Sequence, residues 1–404
     1  GVVACCVLLW AAGAVLFPGR LSARARGLVR LVGFVSLHCA DYTSNVAVML
    51  VFLVQERVHY LAVLLAVHAV VCTFCVFKAV READWRQWGW PLPLSFAFTV
   101  VVLGLMQGVH LKLALDNYMN LRASRLRGST TESVMPSMMP ARYNCKTLDG
   151  ILEGTVFTFV VMYALVKMNW TCVYTRVQAS IMHASALLSL LTVGFALMEL
   201  DHRTSSAVER MLDRSALAQV RHLAFRSSEV GLRLTTILIF AICCRIMENW
   251  WWHRWVAYAT LGVDYLAGLA LITIVGGRDH FKAISVLAIP MVGVNVMQFV
   301  DAPGVSLQAR RISQVVVPCR AAQVVFTAVF AYSLQQTVQV HDTEGEVVQE
   351  HLWYFLWYTR PGVMVLWAST GILYHFLYVV YACRTKLSAD LHSAVAFGDV
   401  ETLR

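Results

Sequence analysis

The stretch 225–240, FRSSEVGLRLTTILIF, carries charged residues inside an otherwise apolar run. Arg226, Glu229 and Arg233 are spaced by three and four residues, which places them on one face if the stretch is helical. An ionised side chain at the centre of a bilayer costs at least about 2.5–3.5 kcal/mol on insertion scales. A charged stripe in a lipid-soluble helix therefore indicates a helix that packs against polar partners or faces water.

The composition of the chain is that of a membrane protein. Of 404 residues, 58% are hydrophobic and only 14% are charged, and several apolar runs reach the length of a bilayer span. Such runs predict an all-α, polytopic transmembrane helical bundle. The net charge of +9 is typical of basic cytoplasmic loops, so no nucleic-acid partner is expected.

Hydropathy divides the chain into ten candidate apolar segments. They are 31–54, 58–77, 92–115, 147–167, 177–200, 227–247, 255–275, 283–300, 312–335 and 355–381. If all ten crossed the membrane, the loops on the two sides would hold 14 and 13 Lys and Arg residues. The positive-inside rule disfavours so even a split.

The charge split becomes decisive if 92–115 and 283–300 enter and leave on the same side. The cytoplasmic loops and tail then hold 24 basic residues and the opposite face holds three. The first segment opens with PLP and the second contains Pro290, and non-helical backbone at depth is tolerated where protein covers it. The sequence therefore predicts eight spans plus two re-entrant half-helices. The glycosylation sequon at Asn169 falls outside in this topology.

Three regions follow from this topology. Residues 1–26 form an N-terminal apolar segment and basic loop, 27–381 the transmembrane domain, and 382–404 a cytoplasmic tail. The apolar part of the first region, 1–17, is short for a span. It fits a signal-like segment, an extra helix or the end of a longer element.

Polar pairs recur at a spacing of four residues within the apolar segments. The three pairs are Asp41/Asn45, Asp149/Glu153 and Glu229/Arg233. Each pair places two polar groups one turn apart on a single helix face. Three such helices can build a hydrophilic path through the bilayer, with the acids at 149 and 153 as natural partners of the cations on 225–240.

A purely structural interpretation of these charges remains open. Arg226 can extend its charged head to the cytoplasmic interface, and Asp149 and Glu153 can complement a helix dipole. The histidines His68 and His110 look isolated, and nothing has a zinc spacing. The cysteines suit core or interface positions, and no P-loop, GxSxG or HExxH motif is present. Neither an enzyme, a metal nor a cofactor is expected.

Three stretches, with two looser matches, carry a resemblance to a known family. KTLDGILEGT (146–155), SLLTVGFALMELDHR (189–203) and FRSSEVGLRLTTILIF (225–240), with looser matches at 290–301 and 357–378, resemble the XK-related membrane proteins, which include phospholipid scramblases. The resemblance implies eight spans, two half-membrane helices and energy-independent movement of lipid headgroups along charged residues. Carried over, that stairway is Asp41, Asp149, Glu153, Arg203 and Arg233. Where the family has Pro-Gln after the acidic motif, this chain has Val156-Phe157.

The residues and the resemblance together predict a phospholipid scramblase-like protein, in the plasma membrane or an organelle membrane. The predicted lipid path consists of Asp41, Asn45, Asp149, Glu153, Arg203, Arg226, Glu229 and Arg233. The partners implied are membrane phospholipids, and either a second copy of the chain, a single-pass protein or a lipid-transfer protein. Two other functions fit the same residues: a non-catalytic membrane adaptor, and a transporter of a solute or ion.

Overall fold

The computed structural model describes seven stretches of the chain. They are 23–82, 148–168, 175–204, 216–246, 305–339, 347–359 and 361–397, with isolated helical positions at 212, 259, 262, 263 and 266. The α-helices in them are α1 Ala23–Val54, α2 Val58–Glu82, α3 Gly154–Met168, α4 Arg176–Thr204, α5 Ala216–Ile246, α6 Val305–Ser333, α7 Leu352–Thr359 and α8 Pro361–Phe397. A π-helical turn, Leu148–Glu153, leads directly into α3.

Seven of the predicted apolar segments fall on these helices. Within the described part of the chain, four stretches are long and apolar enough to cross a membrane: Leu37–Val54, Arg176–Glu199, Leu217–Cys244 and Pro361–Val380. The segment 255–275 is described at four positions only, and 1–17 and both predicted re-entrant segments, 92–115 and 283–300, lie outside the described residues. The last helix, α8, runs through the predicted tail boundary at 382 as far as Phe397.

The turn between α1 and α2 is a tight helical hairpin, and it falls between the predicted apolar segments 31–54 and 58–77. Glu56 adopts a left-handed backbone with φ of 54°. The N–H of Arg57 donates to the carbonyl of Phe52 at 2.8 Å, and the N–H of Glu56 donates to that of Leu53 at 3.1 Å. This pair of hydrogen bonds is the Schellman motif, in which glycine is the preferred residue at the left-handed position.

Replacing Glu56 with glycine is therefore expected to stabilise the protein by about 0.5–1 kcal/mol, because the left-handed backbone strains any residue with a Cβ. The control is Ala66→Gly on the exposed face of α2, which is expected to cost about 1 kcal/mol of helix propensity. Thermal unfolding in detergent micelles measures both variants. A midpoint that falls for Glu56→Gly would contradict the expectation.

The start of α4 is fixed by a reciprocal cap. The Thr175 hydroxyl accepts a hydrogen bond from the Gln178 N–H at 3.2 Å, and the Gln178 side-chain oxygen accepts one from the Thr175 N–H at 3.0 Å. This capping box satisfies two backbone donors that a helix start otherwise leaves unpaired. It places the first helical residue at Arg176, one position before the predicted segment.

Helices α4 and α5 form the centre of the bundle. Helix α4 packs against α1, α3 and α5, and α5 also packs against α6 and α8. Of the apolar stretch of α5, 89% is buried, whereas only 33% of that of α8 is. The charged stripe of 225–240 thus lies on the most enclosed of the four stretches that are long and apolar enough to span a membrane.

A small β-hairpin is the one departure from the all-α prediction in the described part of the chain. Strands β1 Gln335–Gln339 and β2 Val347–His351 pair antiparallel, with Gln335 opposite His351. The hairpin lies between the predicted apolar segments 312–335 and 355–381, where no strand is predicted. Its alternation of polar residues with valine, as in Thr337-Val338-Gln339, is the period-two pattern of a strand.

The described bundle buries ionisable side chains within a largely apolar core and exposes many large apolar ones. Large apolar side chains such as Leu53, Phe326 and Phe376 are more than half exposed. Asp201 and Arg226, by contrast, are fully buried. A soluble domain seldom combines buried charges with so many exposed apolar side chains, so this arrangement fits a bundle surrounded by lipid.

Candidate functional site

A buried ionic cluster joins α4 to α5. Arg226 donates from Nε to Asp201 Oδ2 at 2.6 Å and from Nη2 to Asp201 Oδ1 at 2.7 Å. Its Nη1 donates to Glu229 Oε2 at 2.6 Å. His222 Nε2 lies 2.8 Å from Asp201 Oδ2. A two-pronged guanidinium–carboxylate contact is the strongest form of this bond, and here it crosses between two helices.

The electrostatics of the cluster depend on its complete pairing. Asp201 lies two residues beyond the apolar stretch that ends at Glu199. Burial alone would raise the pKa of its carboxyl, but Arg226 and His222 outweigh burial and hold that pKa below its ordinary value. The cluster therefore keeps a carboxylate ionised inside the bundle.

His222 lengthens the stripe on α5. Together with Arg226, Glu229 and Arg233, it gives polar residues spaced by four, three and four positions, all of them buried. This stripe spans about 16 Å at the rise of an α-helix. That length is about half of the roughly 30 Å hydrocarbon thickness of a bilayer.

A close approach of the two backbones allows α4 and α5 to form this cluster. A Cβ added to Gly194 would fall on the side-chain oxygen of Ser227 and lie 3.0 Å from its backbone nitrogen. Gly231 of α5 is equally confined, because an added Cβ would lie 2.8 Å from the Thr370 methyl of α8. Small residues at crossings are typical of tight packing between membrane helices.

A second polar contact joins α1 to α4. The Ser189 hydroxyl lies 2.7 Å from Asp41 Oδ1 and 3.2 Å from Asn45 Oδ1, and the Ser185 hydroxyl donates to Asn45 Oδ1 at 3.1 Å. All four side chains are buried. Two serines one turn apart on α4 therefore hydrogen-bond to the predicted pair on α1.

A third contact joins the π-helical turn to α2. His68 Nδ1 lies 3.1 Å from Glu153 Oε1, and His68 Nε2 lies 3.5 Å from Cys72 Sγ. The turn and the first residue of α3 pack closely on α4. An added Cβ at Gly150 of the turn would lie 2.6 Å from Ala196 Cβ, and one at Gly154 of α3 would lie 2.7 Å from a Val193 methyl. A π-helical turn is a feature often found at functional sites.

The predicted path residues fall into three groups. Asp41 with Asn45, and Arg226 with Glu229, share the contacts described above, and Glu153 and Arg233 are also buried. Asp149 lies in the π-helical turn and Arg203 in the last turn of α4, but their side chains are outside the described residues. The sequon at Asn169 is outside them as well.

The structure gives partners for two of the predicted charges. Arg226 binds the carboxylates of Asp201 and Glu229, and Glu153 contacts His68. The side chain of Asp149, the other acid predicted to pair with the cations of α5, lies outside the described residues. Asp201, His222 and His68 are not among the residues of the predicted path. His222 extends the stripe by another four residues, which is a signal the sequence does carry.

Within the described residues, no group of three or more His, Cys, Asp and Glu side chains is arranged to hold a metal ion.

Fold and site together define a class, namely helical membrane proteins whose interior carries ionised and hydrogen-bonded side chains. A comparison of the chain with protein-family models, with curated proteins and with solved structures gives no match.

Proposed function

We propose that the protein is a phospholipid scramblase-like membrane protein that moves lipid headgroups between leaflets along its buried polar residues. The observation that carries the proposal is the set of three interhelical polar contacts, Asp41–Ser189, Glu153–His68 and Asp201–Arg226. They place acids, a base and hydroxyls in a bundle whose outside is apolar. The proposed topology is eight spans with two re-entrant half-helices, and the proposed membrane is the plasma membrane.

The chemistry of a lipid headgroup suits these side chains. A guanidinium binds phosphate oxygens in the same two-pronged geometry that it uses for a carboxylate. A headgroup phosphate can therefore take the place of Asp201 on Arg226, while the released carboxylate attracts the headgroup ammonium. Each exchange replaces one ion pair by another. The energy barrier to headgroup movement therefore stays below the cost of leaving a buried charge unpaired. Binding sites that are weak and multiple let the headgroup leave again, and movement down a gradient needs no nucleotide.

The described arrangement corresponds to a closed state in this proposal. The side chains of Asp201 and Arg226 are at most 1% exposed, and that of Glu229 is 10% exposed. A headgroup therefore reaches them only when helices separate along the polar contacts. The hydroxyl contacts between α1 and α4 involve a single charged group, so they are the weaker of the interhelical contacts and the proposed place of opening.

A non-catalytic adaptor is the second candidate, and the completeness of the ionic cluster favours it. Three of the Arg226 nitrogens already donate to carboxylate oxygens at 2.6–2.7 Å. A cluster satisfied in this way can serve to fix the register of α4 against α5 and nothing else. The proposed partner is then a second copy of the chain, a single-pass protein or a lipid-transfer protein, held at the apolar outer surface.

A dithionite assay with fluorescent headgroup lipid tests the proposal. Purified protein in liposomes is expected to expose well beyond half of the label to quenching, because label from the inner leaflet moves outward. Arg233→Ala and Glu153→Gln are expected to lower the rate at least about tenfold, since each removes a charge whose loss is worth more than about 1.4 kcal/mol. The control is Arg320→Ala on α6, where Arg320 donates to Gln323 of the same helix.

The two candidate functions give different results in this assay. A scramblase loses rate in the path variants while the Arg320 variant stays near wild type. An adaptor stops at the outer-leaflet half in every variant, and the path variants then lose thermal stability or partner assembly instead. Wild-type quenching that stops at the outer-leaflet half of the label on every tested lipid composition would overturn the scramblase proposal.

A further inference from the structure

Cys72, His68 and Glu153 form a line of three chemically complementary groups. The thiol of Cys72 lies 3.5 Å from His68 Nε2, and His68 Nδ1 lies 3.1 Å from Glu153 Oε1. His68 and Cys72 are one turn apart on α2, so the helix itself fixes their separation. Glu153 reaches the ring from the π-helical turn, 85 positions away in the chain.

The protonation pattern of this line follows from its acceptor. An ionised carboxylate can only accept a hydrogen bond, so His68 Nδ1 carries the proton that is donated to Glu153. In neutral His68 the lone pair then resides on Nε2, which faces the Cys72 sulfur. The Cys72 proton can therefore pass to Nε2, which gives a thiolate beside an imidazolium that Glu153 holds in place. A nucleophile, a base and a group that orients the base are the arrangement that activates thiols.

The position of the thiol limits which reagents can reach it. Ala69, Val70 and Thr73 of the same helix turn are exposed, and Cys72 lies beside them at the edge of the packed face. Cys72 is about 21 Å along α2 from its first residue, Val58, at the rise of an α-helix. In the proposed topology the α1–α2 turn lies at one membrane interface, and this depth then places the thiol in the hydrocarbon half away from the turn. A water-soluble reagent has little access there, whereas an acyl chain does.

We propose that Cys72 is a self-acylating thiol that accepts a fatty acyl group from a long-chain acyl thioester. The Cys72 sulfur attacks the thioester carbonyl while its proton passes to His68 Nε2. The new carbon–sulfur bond forms on Cys72, the bond to the donor thiol breaks, and His68 returns the proton to the leaving thiolate. No oxidant or further reactant is needed. Glu153 is a positioning residue, because it holds the His68 ring with Nε2 directed at the sulfur.

The chain contains its own comparison for this proposal. Cys39 on α1 is exposed, and Cys243 on α5 is buried like Cys72. If exposure to the donor alone decided acylation, Cys39 would be modified first. The proposed activation predicts the reverse order, with Cys72 ahead of Cys39 although its thiol is the more buried of the two.

The test uses the full chain in liposomes with palmitoyl coenzyme A, followed by mass spectrometry of hydroxylamine-sensitive modification at each cysteine. Occupancy at Cys72 is expected to exceed that at Cys39 at least about tenfold, in line with the contribution of a positioned base. His68→Asn is expected to lower the rate at Cys72 at least about tenfold and to confine it to alkaline pH, where an unassisted thiol ionises. Glu153→Gln is expected to give a smaller loss with the same change of pH profile.

Equal or greater occupancy at Cys39 in the wild-type protein would overturn the proposal, and this comparison needs no variant to fold. An unchanged rate or pH profile at Cys72 in His68→Asn would overturn it as well. Acylation is measured independently of scrambling, so failure of the scramblase proposal leaves this result unaffected.

Discussion

Replacement of Arg226 by methionine is expected to lower the free energy of unfolding by about 3–5 kcal/mol, the cost of breaking a buried ion pair. The substitution leaves the Asp201 and Glu229 carboxylates without the guanidinium that binds both of them at 2.6–2.7 Å. Those carboxylates are at most one-tenth exposed, so water does not replace the lost partner. The loss is read from thermal or denaturant unfolding in detergent micelles, followed by tryptophan fluorescence.

Two controls separate pairing from packing in this experiment. Arg176→Met removes an exposed arginine at the start of α4 and is expected to change stability by less than about 0.5 kcal/mol. The triple variant Arg226→Met, Asp201→Leu, Glu229→Leu removes the cation and both carboxylates, and it is expected to recover most of the loss, because well-packed apolar residues can replace a buried ion pair. A single-variant loss below about 1 kcal/mol would show that the cluster contributes little to holding α4 against α5.

Gly194→Ala is expected to cost about 1–3 kcal/mol, the usual penalty of overpacking. The new methyl would fall on the Ser227 side chain and crowd its backbone nitrogen at 3.0 Å, so α4 and α5 must move apart. Helix propensity alone predicts the opposite sign, a gain of about 1 kcal/mol for glycine to alanine within a helix. The sign of the change therefore tells whether the crossing is as close as described.

Gly362→Ala is the matched control for this second prediction. Gly362 lies at the exposed start of α8, and its nearest neighbour to an added Cβ is His183 Nε2 at 3.6 Å, an ordinary contact. This variant is expected to be neutral or slightly stabilising in the same unfolding experiment. Equal changes in the two variants would contradict the close approach of α4 and α5.

Local sequence signals predict the helices well where they are complete. The α1–α2 boundary at Arg57 and the start of α4 near residue 177 are visible in the sequence, and the structure confirms both within a residue. The start of α5 is wrong by eleven positions, because Arg221 and His222 lower the hydropathy before residue 227. Helix α5 nevertheless begins at Ala216, since His222 is buried against Asp201 rather than exposed to water.

The partners within the site could not be derived from spacing alone. Helical periodicity places Arg226 and Glu229 on one face, and the structure confirms that pair at 2.6 Å. Periodicity does not show which helix lies opposite that face. Asp201 becomes the partner of Arg226 only because α4 packs on α5. For the same reason His68 looks isolated in the sequence, although Glu153 contacts it from a segment 85 positions away.

The π-helical turn at Leu148–Glu153 makes the position of Glu153 depend on the residue count of its helix. A π turn closes its hydrogen bonds one residue later than an α turn, so the segment accommodates one residue more than a regular helix would. Deletion of a single residue there would restore α-helical geometry. It would also rotate the side chains on one side of the deletion by about 100° about the helix axis. Glu153 would then leave His68, or Gly154 would leave its close contact with Val193. Chain length at this point, and not only side-chain identity, therefore determines whether the acid reaches the interior of the bundle.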